Sequence, residues 1–114
     1  PERIARLQAN CALLRGVLAD AGADPIEGRG AVVAVPTGSE EATGAAWRTA
    51  FDNGVYTNAV AYPAVPRGRG VLRLTVMATH TEAQLRAAGE LVAAAVRVAR
   101  GEPGEPVPAQ RSVA

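Results

Sequence analysis

Lysine is missing altogether: all 12 basic residues of this 114-residue chain are arginine. That excludes a lysine Schiff base and a phosphate-loop lysine within these residues, whatever the fold. Cys11 and His80 are the single representatives of their kinds, so a disulfide framework and a Cys/His zinc cage are excluded too. The longest wholly apolar run, Leu91–Val96, is far short of the roughly 20 residues that a membrane-spanning helix needs. Twelve Arg stand against 11 Asp plus Glu, which leaves no broad field to draw in nucleic acid or an anionic membrane. Glu2, Arg3 and Arg6 break any signal-peptide pattern, and a lone thiol suits a reducing compartment, so the expected location is cytoplasmic. These absences favour a binding module, or one part of a larger catalyst, over a self-contained enzyme.

What is present is small and apolar. Alanine supplies 25 residues and Phe, Trp and Tyr together four, in a chain that is 48% hydrophobic. A domain of this length buries somewhat over about 60% of its unfolded surface, enough for a core without covalent staples. Ile4, Leu7, Cys11, Leu14 and Leu18 recur at helical spacing, widened by Leu13 and Val17, and Gly22 and Pro25 stop that helix near Ala21. Cys11 lies on the stripe and reads as a buried small apolar thiol. Residues 31–36 read as a buried strand. Ser39 offers an N-cap, with Glu40 and Glu41 in the first turn of a second helix that carries Trp47 and Phe51 four residues apart. The spacing predicts that these two rings form a core pair, and Asn53-Gly54 ends the helix.

Residues 55–62 read as a strand, residues 63–70 (PAVPRGRG) as a stiff turn-forming connector, and residues 71–78 as a third strand. In that third strand Leu72, Leu74, Val76 and Ala78 point one way and Val71, Arg73, Thr75 and Met77 the other. A last helix begins at residues 79–81, where Thr79-x-x-Glu82 and Thr81-x-x-Gln84 both fit a capping box. Its apolar face is Leu85, Ala88, Leu91, Val92, Ala95, Val96 and Ala99. The expected fold is α+β, a two-layer sandwich of order α-β-α-β-β-α: a small, largely antiparallel three-stranded sheet with helices on one face. Residues 1–101 make the domain, and residues 102–114 read as a disordered tail.

Several chemistries can be weighed against this layout. Ser39 and Ser112 have only His80 as a histidine base, and no spacing argues for either pairing. Gly28-Arg29-Gly30 precedes a strand, whereas a nucleotide-binding glycine loop follows one, so it reads as a turn. Arg67-Gly-Arg69-Gly70 resembles an RNA-binding tract only in a single copy, without stacking aromatics, and no nucleic-acid partner is expected. His80, at a strand-to-helix junction, reads as hydrogen-bonded to local backbone. Arg73 is the candidate for recognition, because a guanidinium on an open sheet face offers a planar fork to a carboxylate. As a mid-strand Arg it is either a solvated residue in a surface ion pair or the floor of a site that something else completes.

Two stretches then carry a resemblance. Residues 54–66 (GVYTNAVAYPAVP) and 72–81 (LRLTVMATHT) are similar to the C-terminal segment of the α-oxoamine synthases. These are pyridoxal-phosphate enzymes of the fold-type I aminotransferase superfamily, with serine palmitoyltransferase and 8-amino-7-oxononanoate synthase among their members. The match is a strand, a double-proline turn, an Arg-bearing strand and a His-Thr entry to the last helix, in that order. Asn10 to Leu18 and Val32 to Pro36 resemble the family more loosely. The resemblance implies the C-terminal small domain of such an enzyme, as a fragment or a split piece. Its partner would be a large domain, in the same or a separate chain, that holds the pyridoxal phosphate, with a homodimer when complete. No cofactor would be bound by this chain alone. The implied reaction condenses an amino acid with an acyl-CoA or acyl-carrier thioester, with decarboxylation. Arg73 would bind the amino-acid carboxylate, Thr75 would lie beside it, and Ala64 and His80 would be structural residues near the site; no residue here is catalytic. Val71 stands where many relatives carry another Arg, and Ala64 where a Thr is frequent. The alternatives are a stand-alone interaction module of the same fold and the small domain of an ordinary aminotransferase.

Overall fold

Three helices and three strands alternate in the computed structural model, which describes residues 2–26, 31–61 and 63–101. They are α1 (Glu2–Asp20), β1 (Val32–Gly38), α2 (Glu40–Asp52), β2 (Asn58–Val60), β3 (Gly70–Thr75) and α3 (Glu82–Ala99). The sheet order is β1-β3-β2 and both pairings are antiparallel. The α+β two-layer expectation therefore holds, in the element order that the periodicities predict.

Alternation along the strands puts the core on one side of the sheet. Val33, Val35, Leu72, Leu74 and Val76 are buried, and Cys11, Leu14, Leu18, Leu85, Leu91 and Val92 from the helices close over them. α3 packs against both α1 and α2, and its run of small residues lets the helices come close. A β-carbon on Gly89 would stand 2.7 Å from Val17 Cγ1, so only glycine keeps the α1–α3 spacing seen here. The helix starts are those the sequence signals. Ser39 Oγ accepts from the Ala42 amide at 3.0 Å, and Thr81 and Gln84 form a complete capping box, leaving the competing Thr79 pattern unused.

β1 is an edge strand, which is why Pro36 can sit within it. Pro36 pairs with Val71 and Gly38 with Gly70, so Thr37 is an extra residue in β1. The alternation of β1 puts Thr37 on the core side with Val33 and Val35, where it meets Thr43 of α2 at 2.5 Å. Thr43 donates its own hydroxyl hydrogen to Ser39 O at 2.7 Å, so Thr37 is the donor in the pair. This buried knot ties the end of β1 to the start of α2, directly against Gly70.

Four expectations change. Ile4, assigned to the apolar stripe, is exposed, and burial on α1 is complete only from Cys11. β1 is half-buried, with Val32, Ala34 and Pro36 on the open face, where the apolar run had suggested a strand buried throughout. β2 covers only three residues of the predicted eight, because the backbone before Asn58 diverges from β3 to follow the end of α2, where the Val55 amide donates to Ala50 O. Trp47 and Phe51 do stack, with centroids 5.3 Å apart, but only Trp47 packs against the core: Phe51 is 48% exposed, and Tyr56 extends the stack at 5.5 Å. α2 packs through its small face, Ala42, Ala46 and Ala50, and leaves Phe51 at the rim. The Gly28–Gly30 turn and the tail from residue 102 lie outside the described residues.

Candidate functional site

β3 organises the open face of the sheet. Arg73 stands at its centre, opposite Ala34 on β1 and Asn58 on β2. Arg73 is exposed, and both cross-strand neighbours are short. Among the described residues no carboxylate pairs with Arg73; the arginines seen in ion pairs are Arg48 with Asp52, Arg67 with Glu40 and Arg86 with Glu82. Thr75 follows two residues along on the same side and is also exposed. Ala64 lies exposed in the connector after β2, where a backbone bond from its amide to Ala61 O closes a turn.

Just past Thr75 the chain is pinned from two directions. Asn10 of α1 donates through Nδ2 to Met77 O at 2.9 Å and to His80 O at 3.1 Å. The Met77 amide donates to His80 Nδ1 at 3.0 Å, so a neutral His80 carries its proton on Nε2. His80 thus sits at the junction, bonded to local backbone. The sequence pattern assigns Asn10 no such role, although its place between Leu7 and Leu14 is a signal: a polar side chain beside an apolar stripe needs a partner.

Beside this junction lies a cleft of about 210 Å³ between β3, α1 and α3. Leu14, Leu74, Leu85 and Ala88 form its walls, and Tyr56, Thr75, Met77 and His80 surround its mouth. Tyr56 and Met77 are 68% and 54% exposed. The opening exists because β2 starts at Asn58, opposite Arg73, which leaves the edge of β3 beyond that point without a strand beside it.

The family model described as aminotransferase class I and II matches residues 1–92. The chain belongs to that family. Among curated proteins, a putative 8-amino-7-oxononanoate synthase of Desulfovibrio desulfuricans is 39% identical over 85 residues, covering 75% of this chain and 22% of its own length. The 8-amino-7-oxononanoate synthase of Pelobacter propionicus is 39% identical over 87 residues, covering 76% and 22%. Among solved structures, a serine palmitoyltransferase of Sphingomonas wittichii superposes with TM-score 0.79 at 27% identity, over 90% of this chain and 26% of that one. A serine palmitoyltransferase from S. paucimobilis with a bound PLP–myriocin aldimine superposes with TM-score 0.75 at 32% identity, over 88% and 26%. The chain thus spans about a quarter of the length of the relatives it matches.

Pyridoxal phosphate is named in structures of these relatives, and the residues here can be tested against it. Its aldehyde is held through an amine, and these 114 residues contain no lysine. Arg73 can meet an anion, but the face around it offers no second cation in cross-strand position. These residues do not by themselves make a site for that cofactor. Among the described residues there is also no helix long and apolar enough to cross a membrane and no cluster of His, Cys, Asp or Glu able to hold a metal ion.

Proposed function

We propose that this chain is the small-domain portion of a PLP-dependent α-oxoamine synthase, and that Arg73 binds the carboxylate of its amino-acid substrate. The observation that carries the reading is Arg73 itself: a mid-strand arginine on the open face, unpaired among the described residues and flanked by short side chains. It is supported by the similarity to 8-amino-7-oxononanoate synthases and serine palmitoyltransferases. In the overall reaction the amino-acid α-carbon bonds to the acyl carbonyl carbon, the C–S bond of the thioester breaks to release the thiol, and the carboxylate leaves as carbon dioxide. Large-domain residues outside this chain hold the cofactor and do that chemistry. The contribution from this chain is positional, because a carboxylate gripped by a planar fork has a fixed orientation when the bond to it breaks. Thr75 offers a hydroxyl beside that grip, while Ala64 and His80 shape the surrounding loops. The natural partners are the large domain, an acyl thioester and, in the complete enzyme, a second copy.

The test uses the complete enzyme. Charge-assisted hydrogen bonds contribute about 1.5–3 kcal/mol, so Arg73→Ala should weaken amino-acid binding by roughly 10- to 150-fold. Absorbance of the cofactor before substrate addition should stay unchanged. Altered cofactor absorbance with unaltered amino-acid affinity would refute the assignment. The family description also covers aminotransferases, and product formation from acyl-CoA rather than from a 2-oxo acid separates the two activities.

A further inference from the structure

Asn58 of β2 is paired directly with Arg73 of β3, so the two side chains leave the sheet on the same face, with β-carbons about 5 Å apart. The register is reinforced from the far side. The Ile26 amide donates to Ala34 O at 2.8 Å, which turns the Ala34 backbone away from β3 and directs the Arg73 backbone to Asn58. Cross-strand pairing places Val32, Ala34, Pro36, Val60 and Val71 on this face too, and none of them carries a polar side-chain group. The polar side chains that the strands present there are Arg73, Thr75 and Asn58, gathered together. Asn58 and Arg73 are both exposed, and among the described residues neither side chain has a hydrogen-bond or ion-pair partner.

Asparagine does little for the sheet itself. It is depleted in strands, and opposite an arginine on an open face an Asp or Glu would stabilise the pairing through its charge. An amide forgoes that attraction and leaves the guanidinium charge uncompensated, which suits a face that takes a carboxylate from outside. We propose that Asn58 is a second residue of that grip, donating through Nδ2 to the carboxylate that Arg73 holds; the inference rests on the reading of Arg73 above and adds a residue from the neighbouring strand. A carboxylate offers about four lone-pair sites on its two oxygens, and a fork-to-fork contact with a guanidinium occupies two of them. The others need donors once water is displaced. The Asn58 amide carries two N–H groups and, being neutral, does not compete with the ligand for the charge of Arg73. A carboxylate held from two strands is fixed in its plane as well as in its direction.

The test uses the complete enzyme and reads affinity from the change in cofactor absorbance as ligand is added. The probes are L-alanine and L-serine, each beside the amine that lacks its carboxylate, ethylamine and ethanolamine. Asn58→Ala should weaken amino-acid binding roughly tenfold, the effect of one hydrogen bond to a charged group, and should leave amine binding unchanged. Asn58→Asp should weaken amino-acid binding further, because the new carboxylate pairs with Arg73 and repels the ligand. The same variant should melt no lower than the parent, because that pair ties β2 to β3. A residue that only held the sheet together would lose affinity and melting temperature in step. Parental amino-acid affinity in Asn58→Ala, an equal loss for the amines, or parental affinity in Asn58→Asp would overturn the proposal, and a weakened Arg73→Ala measured alongside would leave the role of Arg73 standing. Parental amino-acid affinity in Arg73→Ala would instead overturn the reading on which the proposal rests.

Discussion

Replacing Gly70 by alanine puts one methyl group against the buried Thr37–Thr43 pair. Its backbone is outside the left-handed region, so alanine meets no conformational strain and the effect is steric. The new β-carbon would overlap Thr43 Oγ1, stand 3.0 Å from Gly38 O and 3.2 Å from Thr37 Oγ1. Thr43 cannot step aside cheaply, because its hydroxyl accepts from Thr37 and donates to Ser39 O, and both threonines are buried. Overpacking costs about 1–3 kcal/mol, and a buried hydroxyl left unpaired about 1–3 kcal/mol more. Alanine returns about 0.5–1 kcal/mol through its stiffer unfolded chain. The net expectation is a loss of about 2–4 kcal/mol, a large part of the roughly 5–15 kcal/mol that holds a small domain together. On a domain of this size that lowers the melting temperature by roughly 10–30 °C. Thermal unfolding followed by far-ultraviolet circular dichroism reads it directly. Thr43→Ala should destabilise by itself, since it orphans the Thr37 hydroxyl, yet adding it to Gly70→Ala should recover at least about 1 kcal/mol as coupling. A melting temperature within about 3 °C of the parent, or strict additivity of the two changes, would refute the knot as a source of stability.

Two further outcomes probe other parts of the structure. Asn10→Ala removes the donors to Met77 O and His80 O and should cost about 1 kcal/mol, with faster amide exchange at Met77. Asn10→Asp should be worse than alanine, because it sets a carboxylate against two carbonyls. Phe51→Ala should cost under about 1 kcal/mol, since the ring is 48% exposed, whereas Leu72→Ala, fully buried in β3, should cost about 2–5 kcal/mol; urea unfolding of both variants distinguishes a surface stack from a core pair.

Local signals read well wherever the physics is local. The Ser39 cap and the Thr81–Gln84 box formed as their spacing predicted, and the β3 alternation correctly placed Leu72 and Leu74 inward and Arg73 outward. Errors arose where a distant partner decides. Trp47 and Phe51 have helical spacing in either environment, and only the packing of α2 sets Trp47 against the core and Phe51 at the rim. Residues 55–57 have strand-like composition, but the Val55 amide bonds back to Ala50 O in α2. Asn10 and the loop it holds are 67 to 70 residues apart in the chain, a separation that no periodicity reports.

By itself, the sequence determined what chemistry these residues lack and which side of β3 carries Arg73, because composition and a period of two need no knowledge of neighbours. It could not decide whether the side chains around Arg73 leave it open, or that the edge of β3 beyond it is bare. Those depend on register across strands and on where β2 begins. The missing lysine excluded a Schiff base here at once. Only the tertiary structure set Arg73 between Ala34 of β1 and Asn58 of β2, because cross-strand pairing brings together residues that the chain keeps apart.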